Sequence, residues 1–208
     1  MSRRLPGARD VRATLDEAED DSGNGSPSVV VACPPHPQMG GDRHDSRLRA
    51  VSEALRARDI DCLRFDYGPW DEGRGEVADA RTALAWAGQR YETVGLFGYS
   101  FGAGVALLAA GSPNTRDDDG PGGPVAVSVL APPATIGSRE IVAAVDHLAV
   151  PLQVIYGSRD TTVDWQPVVE RAQRQGQDVV EIAGDHHFVG QTGRVGEYVA
   201  SFCATHCP

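Results

Sequence analysis

The chain has 208 residues, 41% of them hydrophobic, and a formal net charge of −10 at pH 7. This length suffices to bury a sizeable core, while so negative a charge excludes nucleic acids and anionic membranes as partners, because their phosphates would be repelled. No apolar run approaches the roughly 20 residues of a membrane-spanning helix, and no apolar segment follows the two early arginines as in a secretory signal. We therefore expect a soluble cytoplasmic protein.

The charged residues have an unusual composition. All 19 basic residues are arginine, and the 29 acidic residues include more aspartate than glutamate. Acidic clusters occur at DEAEDD (residues 16–21) and RDDDG (116–120). Dense surface carboxylates of this kind occur in proteins from salt-rich cytoplasm, so our hypothesis is that the protein is halophilic. A GC-rich genome that prefers arginine codons would explain the missing lysine but not the excess of aspartate.

In the first half of the chain, strand-like segments alternate with helix-like segments. The first 25 residues predict an edge strand around DVRATLDEA and then a polar turn. Strands are predicted at SVVVACPP (28–35), which is apolar enough for burial on both faces, and at IDCLRFDYG (60–68). Helices are predicted at 45–59, where Asp45 or Ser46 is the expected cap, and at 75–90.

The second half continues the alternation. Strands are predicted at 93–100, 125–133, 151–160 and 177–184, and helices at 101–111, 138–148, 164–175 and 195–203. A loop rich in glycine, proline and aspartate covers residues 111–124. This pattern indicates one α/β domain over residues 1–208 with a mostly parallel sheet and no large lid. In such sheets the functional groups lie beyond the carboxyl ends of the strands.

Ser100 lies at one of these strand ends, in the segment GYSFG, between a predicted strand and a predicted helix. The G-x-S-x-G pattern is typical of a sharp turn that exposes a serine hydroxyl, with Gly98 and Gly102 relieving the crowding on either side. The helix that follows points its N-terminus at a reacting carbonyl. We therefore predict that Ser100 is a nucleophile.

A serine nucleophile needs a base, and the base needs an orienting carboxylate. Asp160 directly follows the strand 151–160, and His186 and His187 follow the last strand. The order Ser100, Asp160, His186 matches the chain order of the α/β-hydrolase triad. Three strand ends that supply these residue types in this order form a stronger signal than any single motif.

For both the base and the carboxylate, the sequence offers an alternative residue. His187 competes with His186, since neighbouring loop side chains point in different directions. Asp164 competes with Asp160, but its position suits the N-cap of the predicted helix 164–175. Asp185 is expected to shape the turn before the histidines.

An oxyanion formed at the substrate carbonyl needs backbone N–H donors. Phe101, the residue after the nucleophile, is expected to supply one. The loop ACPPHPQMGG is expected to supply the other, and because prolines have no N–H, His36 is the nearest donor in it. Gly40 and Gly41 would let this loop pass close to a substrate.

These segments resemble the α/β-hydrolase superfamily over nearly the whole chain from about residue 8. PPHPQMGG is similar to an HPHPxxGG loop of small lidless members, including relatives of the dienelactone hydrolases, although Pro34 replaces the first histidine. LRFDYGPWDEGRGE resembles the strand and Gly-rich segment of these proteins. AGDHHFVG resembles their GADHFFxG motif, in which the histidine after the aspartate is catalytic; the resemblance selects His186. Dienelactone hydrolases use a cysteine where this chain has Ser100.

The triad and the resemblance together imply a serine hydrolase of a small carboxylic ester or related acyl compound, with no cofactor or metal. Only about 60 residues separate Ser100 from Asp160, so no large lid fits there and we expect an open pocket. An acyltransferase with the same triad, or a non-catalytic binding protein on this fold, are the alternatives. The four cysteines do not have zinc-site spacing, and we expect reduced thiols: Cys33 and Cys62 in strands, Cys203 and Cys207 in a fraying tail. The sequence does not indicate an oligomeric state.

Overall fold

A computed structural model describes residues 2–7, 9–19, 25–111 and 123–207. Within these ranges the strands are β1 (Ser2–Arg4), β2 (Arg12–Asp16), β3 (Ser28–Cys33), β4 (Asp61–Asp66), β5 (Thr93–Tyr99), β6 (Ala126–Leu130), β7 (Thr135–Ile136), β8 (Arg139–Glu140), β9 (Leu152–Gly157) and β10 (Asp178–Ile182). The helices are α1 (Ser46–Arg56), α2 (Arg74–Gly88), α3 (Phe101–Ala110), α4 (Val142–Asp146), α5 (Gln166–Arg174) and α6 (Thr192–His206).

Eight strands form one mixed sheet in the order β1-β2-β4-β3-β5-β6-β9-β10. The six strands from β4 to β10 are parallel to their neighbours, and β1 and β2 are added antiparallel at one edge. Because the parallel strands end at the same edge of the sheet, the loops after β3, β5, β9 and β10 meet there. The predicted α/β architecture with a mostly parallel sheet is confirmed.

Hydrophobic residues cover both faces of the sheet. Alternate residues of β3 face opposite sides: Val29 and Val31 pack with α2 to α5, whereas Val30 and Ala32 pack with α1 and α6. All six residues of β3 are buried, as the apolar run predicts for a strand covered on both faces.

Three segments differ from the sequence predictions. The predicted edge strand forms as β2, but β1 pairs outside it and takes the edge position. The predicted helix 138–148 is replaced by a hairpin of β7 and β8 and the short helix α4. Gly137, with a φ of 56°, turns the chain between the two strands, and burial of Ile136 anchors β7. The C-terminal tail does not fray: α6 continues to His206, and both Cys203 and Cys207 are buried.

Some predicted features lie outside the described residues. These are Asp20 and Asp21 of the first acidic cluster, the whole second cluster 116–120, and most of the loop 111–124. Across the described ranges, no helix is both long and apolar enough to cross a membrane.

Candidate active site

Ser100 occupies a strained turn between β5 and α3. Its φ of 57° and ψ of −119° lie in a region that residues with a side chain rarely adopt. A Cβ atom at Gly98 would lie 2.2 Å from the Gly102 carbonyl oxygen, and one at Gly102 would lie 2.3 Å from the Cys33 carbonyl oxygen. Only glycine fits at these two positions, so the G-x-S-x-G spacing follows from the tight contact between the turn and the end of β3.

The side chain of His186 reaches Ser100 from the loop after β10. Its Nε2 atom lies 2.9 Å from Ser100 Oγ. The Tyr99 hydroxyl donates a hydrogen bond of 3.0 Å to the His186 carbonyl oxygen, which ties the histidine loop to the end of β5. Burial raises the pKa of Tyr99 to about 12, so this hydroxyl keeps its proton at neutral pH.

Asp160 holds the other side of the His186 ring. The His186 Nδ1 atom lies 2.7 Å from Asp160 Oδ2, and both residues are only 6% exposed. The amides of Thr162 and Val163 donate to Asp160 Oδ1 at 2.8 and 3.4 Å. The Asp160 carboxylate thus faces Nδ1 of His186, and with a proton on Nδ1, Nε2 is free to accept the proton of Ser100.

The rival residues lie elsewhere. His187 is exposed, and its amide donates to Asp185 Oδ1 at 3.0 Å, so Asp185 shapes the turn as expected. Asp164 is exposed and does not cap α5 as predicted. The helix begins at Gln166, and Trp165 occupies the N-cap position. His186 and Asp160 are therefore the two residues brought together with Ser100.

The Phe101 and His36 amides are the two donors expected to bind an oxyanion. Among the hydrogen bonds of the described residues, neither the Phe101 nor the His36 amide is a donor. The His36 and Phe101 rings are 4.8 Å apart, so the loop after β3 packs against the start of α3. Gly41 keeps this loop folded: a Cβ atom there would lie 2.4 Å from the Pro35 carbonyl oxygen.

A cavity of about 1060 Å³ includes both Ser100 and His186 in its lining. One wall is aromatic: the Trp70 ring lies 4.6 Å from the His36 ring and 5.6 Å from the Phe101 ring. Burial lowers the pKa of His36, against the opposing charge of Glu76, so the ring is neutral at pH 7 and adds to an apolar wall.

Sequence reasoning missed several residues around this cavity. Trp70 lies in a loop whose next residues are held by the buried side chain of Glu76, which accepts from the amides of Asp71 and Gly73 at 2.8 and 2.7 Å. Arg47 stacks on Tyr99 at 4.6 Å and donates to the His187 carbonyl oxygen at 3.4 Å. The only sequence signal for the Glu76 contact was its position three residues into α2, where a capping glutamate is common.

In the described part of the chain, no group of three or more His, Cys, Asp or Glu side chains is arranged to hold a metal ion.

No protein-family model matches the sequence, and no curated protein matches it either. Solved structures do match. A lidless α/β serine hydrolase from Xanthomonas campestris is 25% identical, with a TM-score of 0.80 over 100% of this chain and 95% of that one. An α/β serine hydrolase homologue from Coxiella burnetii is 20% identical, with a TM-score of 0.80 over 97% and 96% of the two chains. Est1E from Butyrivibrio proteoclasticus is 16% identical, with a TM-score of 0.82 over 99% and 98%.

These similarities extend over nearly the whole length of each pair of chains. By fold, the chain is an α/β hydrolase, and it resembles α/β serine hydrolases, one of which has no lid.

Proposed function

We propose that the protein is a serine hydrolase that cleaves a small carboxylic ester or a related acyl compound through an acyl-enzyme. The observation that carries this proposal is the unbroken chain of hydrogen bonds from Ser100 to His186 to Asp160, with distances of 2.9 and 2.7 Å. The names of the similar structures, which include serine hydrolases and an esterase domain, support the same reaction class.

In the first half of the proposed reaction, Ser100 Oγ attacks the carbonyl carbon of the ester while His186 Nε2 takes the hydroxyl proton. The Asp160 carboxylate stabilises the positive charge that then resides on the His186 ring. The Phe101 and His36 amides would bind the oxygen that becomes negatively charged. Because the three side chains are already in hydrogen-bond contact, little reorganisation precedes the attack.

In the second half, His186 gives its proton to the leaving alcohol oxygen, and the carbon–oxygen bond to the alcohol breaks. This leaves the acyl group on Ser100. Water then enters, His186 removes a proton from it, and the hydroxide attacks the acyl carbon. When the second tetrahedral intermediate collapses, Ser100 Oγ recovers the proton from His186 and the free acid leaves.

An acyltransferase would use the same residues but pass the acyl group to an acceptor other than water. The two reactions are distinguished by their products. When an ester is incubated with the protein and a series of added alcohols, a hydrolase yields mainly the free acid, whereas an acyltransferase yields a new ester of one preferred alcohol.

Hydrolysis of short p-nitrophenyl esters tests the proposal. Ser100→Ala should abolish turnover, because no hydroxyl remains to form the acyl-enzyme. Ser138→Ala is a matched control, since Ser138 also lines the cavity but is not a hydrogen-bond partner of His186 among the described residues. Equal turnover by the Ser100→Ala variant and the unchanged protein would refute the assignment.

From the net charge of −10 we propose that the binding partner is a small molecule and not a nucleic acid or a membrane.

We also propose that the protein is located in the cytoplasm. The cysteines at 33, 62, 203 and 207 are all free, which favours this reducing compartment. Cell fractionation with an antibody against the protein tests the location.

A further inference from the structure

Arg139 differs from the other arginines of the protein. In the part of the chain that the structure describes, every other arginine makes a hydrogen bond, an ion pair or a contact with an aromatic ring. Arg139 has no such partner among these residues, although it is half-buried. Its guanidinium, with five N–H donors, therefore stays available to a ligand.

The hairpin of β7 and β8 brings Arg139 to the cavity that contains Ser100. Arg139 pairs with Ile136 across the hairpin, and side chains at paired positions leave the same face of a two-stranded sheet. Ile136 is buried and anchors the hairpin: a Cβ atom at Gly104 would lie 2.5 Å from it, and one at Gly73 would lie 2.6 Å away. Both Ile136 and Arg139 line the cavity.

The arginines that line this cavity differ in whether a carboxylate pairs with them. Arg47, which also lines the cavity, forms an ion pair with Asp45, and Arg74 lies 3.9 Å from Glu72. Arg139 forms no ion pair in the described residues, although Glu72 lines the same cavity. Burial, together with the positive charge of Arg139, lowers the pKa of the nearby Arg81. Within the described ranges, a positive charge without an ion-pair partner is thus present at the cavity of a protein whose net charge is −10.

The position of the hairpin indicates which part of a substrate would meet Arg139. The leaving alcohol oxygen must face His186, which follows β10. The hairpin packs on the other side of β5, against Gly73 after β4 and Gly104 in α3. If the alcohol is directed toward His186, the hairpin side of the cavity remains for the acyl group.

We infer that Arg139 binds a carboxylate at the far end of the acyl group, so that the substrate is a half-ester of a dicarboxylic acid. This inference rests on the proposed hydrolase function and adds the substrate class. A guanidinium and a carboxylate form paired, charge-assisted hydrogen bonds, which give both affinity and a fixed orientation of the acyl chain.

Binding without turnover tests the carboxylate site alone. In a Ser100→Ala background, calorimetry compares monomethyl glutarate, which carries one carboxylate at pH 7, with neutral dimethyl glutarate. The half-ester should bind at least about tenfold more tightly, and Arg139→Gln should remove this preference. Arg174→Gln, which changes an arginine in α5 away from the cavity, is the matched control and should leave the preference intact.

Turnover measurements test whether the carboxylate site at Arg139 contributes to ester hydrolysis. We expect p-nitrophenyl half-esters of succinate, glutarate and adipate to include one with a kcat/KM at least about tenfold above that of the matched neutral ester. Arg139→Gln should lower this ratio to about one, and Arg139→Lys should retain part of it. Circular dichroism and the kcat/KM of the neutral esters report whether each variant is folded.

The binding and turnover assays together distinguish failure of the carboxylate site from failure of the proposed hydrolase function. Binding of the half-ester that depends on Arg139, without turnover of any ester, would overturn the proposed hydrolase and retain the carboxylate site. Turnover of neutral esters with no preference for the half-ester in either assay would overturn the carboxylate site and retain the hydrolase. Equal binding of both glutarates without any turnover would overturn both.

Discussion

The adjacent residues His186 and His187 have different surroundings. His186 Nε2 lies 2.9 Å from Ser100 Oγ, and its ring is buried against Asp160, whereas His187 is exposed beside the cavity. We predict that His186→Ala lowers kcat by about 10⁴-fold or more, since the three residues act as a unit. His187→Phe should lower kcat by about tenfold or less. Steady-state kinetics of the two variants measure this difference.

Both histidine variants must be folded for this comparison to hold, which circular dichroism checks before any rate is measured. The opposite pattern, an inactive His187→Phe protein and an active His186→Ala protein, would move the base by one residue. The sequence could predict His186 because the resembling motif has its histidine directly after an aspartate. It could not predict that the Tyr99 hydroxyl binds the His186 carbonyl, since the two residues are far apart in the chain.

The turn from β5 to α3 depends on glycine at 102. A methyl group there would lie 2.3 Å from the carbonyl oxygen of Cys33 and 2.4 Å from that of Pro34, so α3 would have to move away from β3. We predict that Gly102→Ala lowers the free energy of unfolding by about 1–3 kcal/mol, as expected for overpacking, and removes most activity by displacing Ser100. Chemical denaturation and ester turnover measure the two effects.

Gly193 in α6 is the matched control, because no described atom lies within 4 Å of a Cβ placed there. Gly193→Ala should leave activity unchanged and raise the free energy of unfolding by up to about 1 kcal/mol, owing to the higher helix propensity of alanine. A Gly102→Ala protein as stable and active as the unchanged protein would show that the turn does not need glycine.

The loop between β4 and α2 depends on Glu76. Its fully buried carboxylate accepts from the amides of Asp71 and Gly73, next to Trp70 in the cavity wall. We predict that Glu76→Gln lowers the free energy of unfolding by about 1–3 kcal/mol, because an NH₂ group then faces one of the two amides. Thermal denaturation compares it with Glu72→Gln, an exposed neighbour that should have little effect. Equal stability of both variants would argue against this role of Glu76.

At the scale of elements, the sequence predicted most of the sheet but not the hairpin β7–β8. The strands β3, β5 and β9 have continuous apolar runs that local patterns detect. The segment 138–148 has helical spacing over much of its length, so a helix was the natural prediction. Its first residues instead pair with β7, because Ile136 is buried against Gly73 and Gly104. Such a contact between distant residues leaves no local pattern in the sequence.

The whole molecule has an excess of negative charge, 29 acidic residues against 19 basic ones. Screening by salt weakens the mutual repulsion of surface carboxylates in the folded protein. We predict that the thermal midpoint and the ester turnover both rise from low salt into molar KCl. Differential scanning calorimetry in a KCl series measures the midpoint. A midpoint that is unchanged or lower in molar KCl would contradict the halophilic hypothesis.

Salt has the opposite effect on the stability contributed by ion pairs, because it also screens the attraction between opposite charges. Exposed pairs such as Arg174–Glu170 contribute little to stability, so their loss in molar KCl should be small. Sucrose in place of KCl is the control for effects of a general co-solute, since it stabilises compact states without screening charges. A rise in KCl that sucrose reproduces fully would not support screening of carboxylates.

The proposed reaction requires Ser100 to form a covalent bond with the substrate. A fluorophosphonate probe measures this reactivity, because such probes bind activated serines, and mass spectrometry of the digested protein locates the adduct. We expect one adduct, on Ser100, which is lost in Ser100→Ala and forms much more slowly in His186→Ala. A protein that stays unlabelled, or an adduct on another residue that persists in the Ser100→Ala variant, would contradict it.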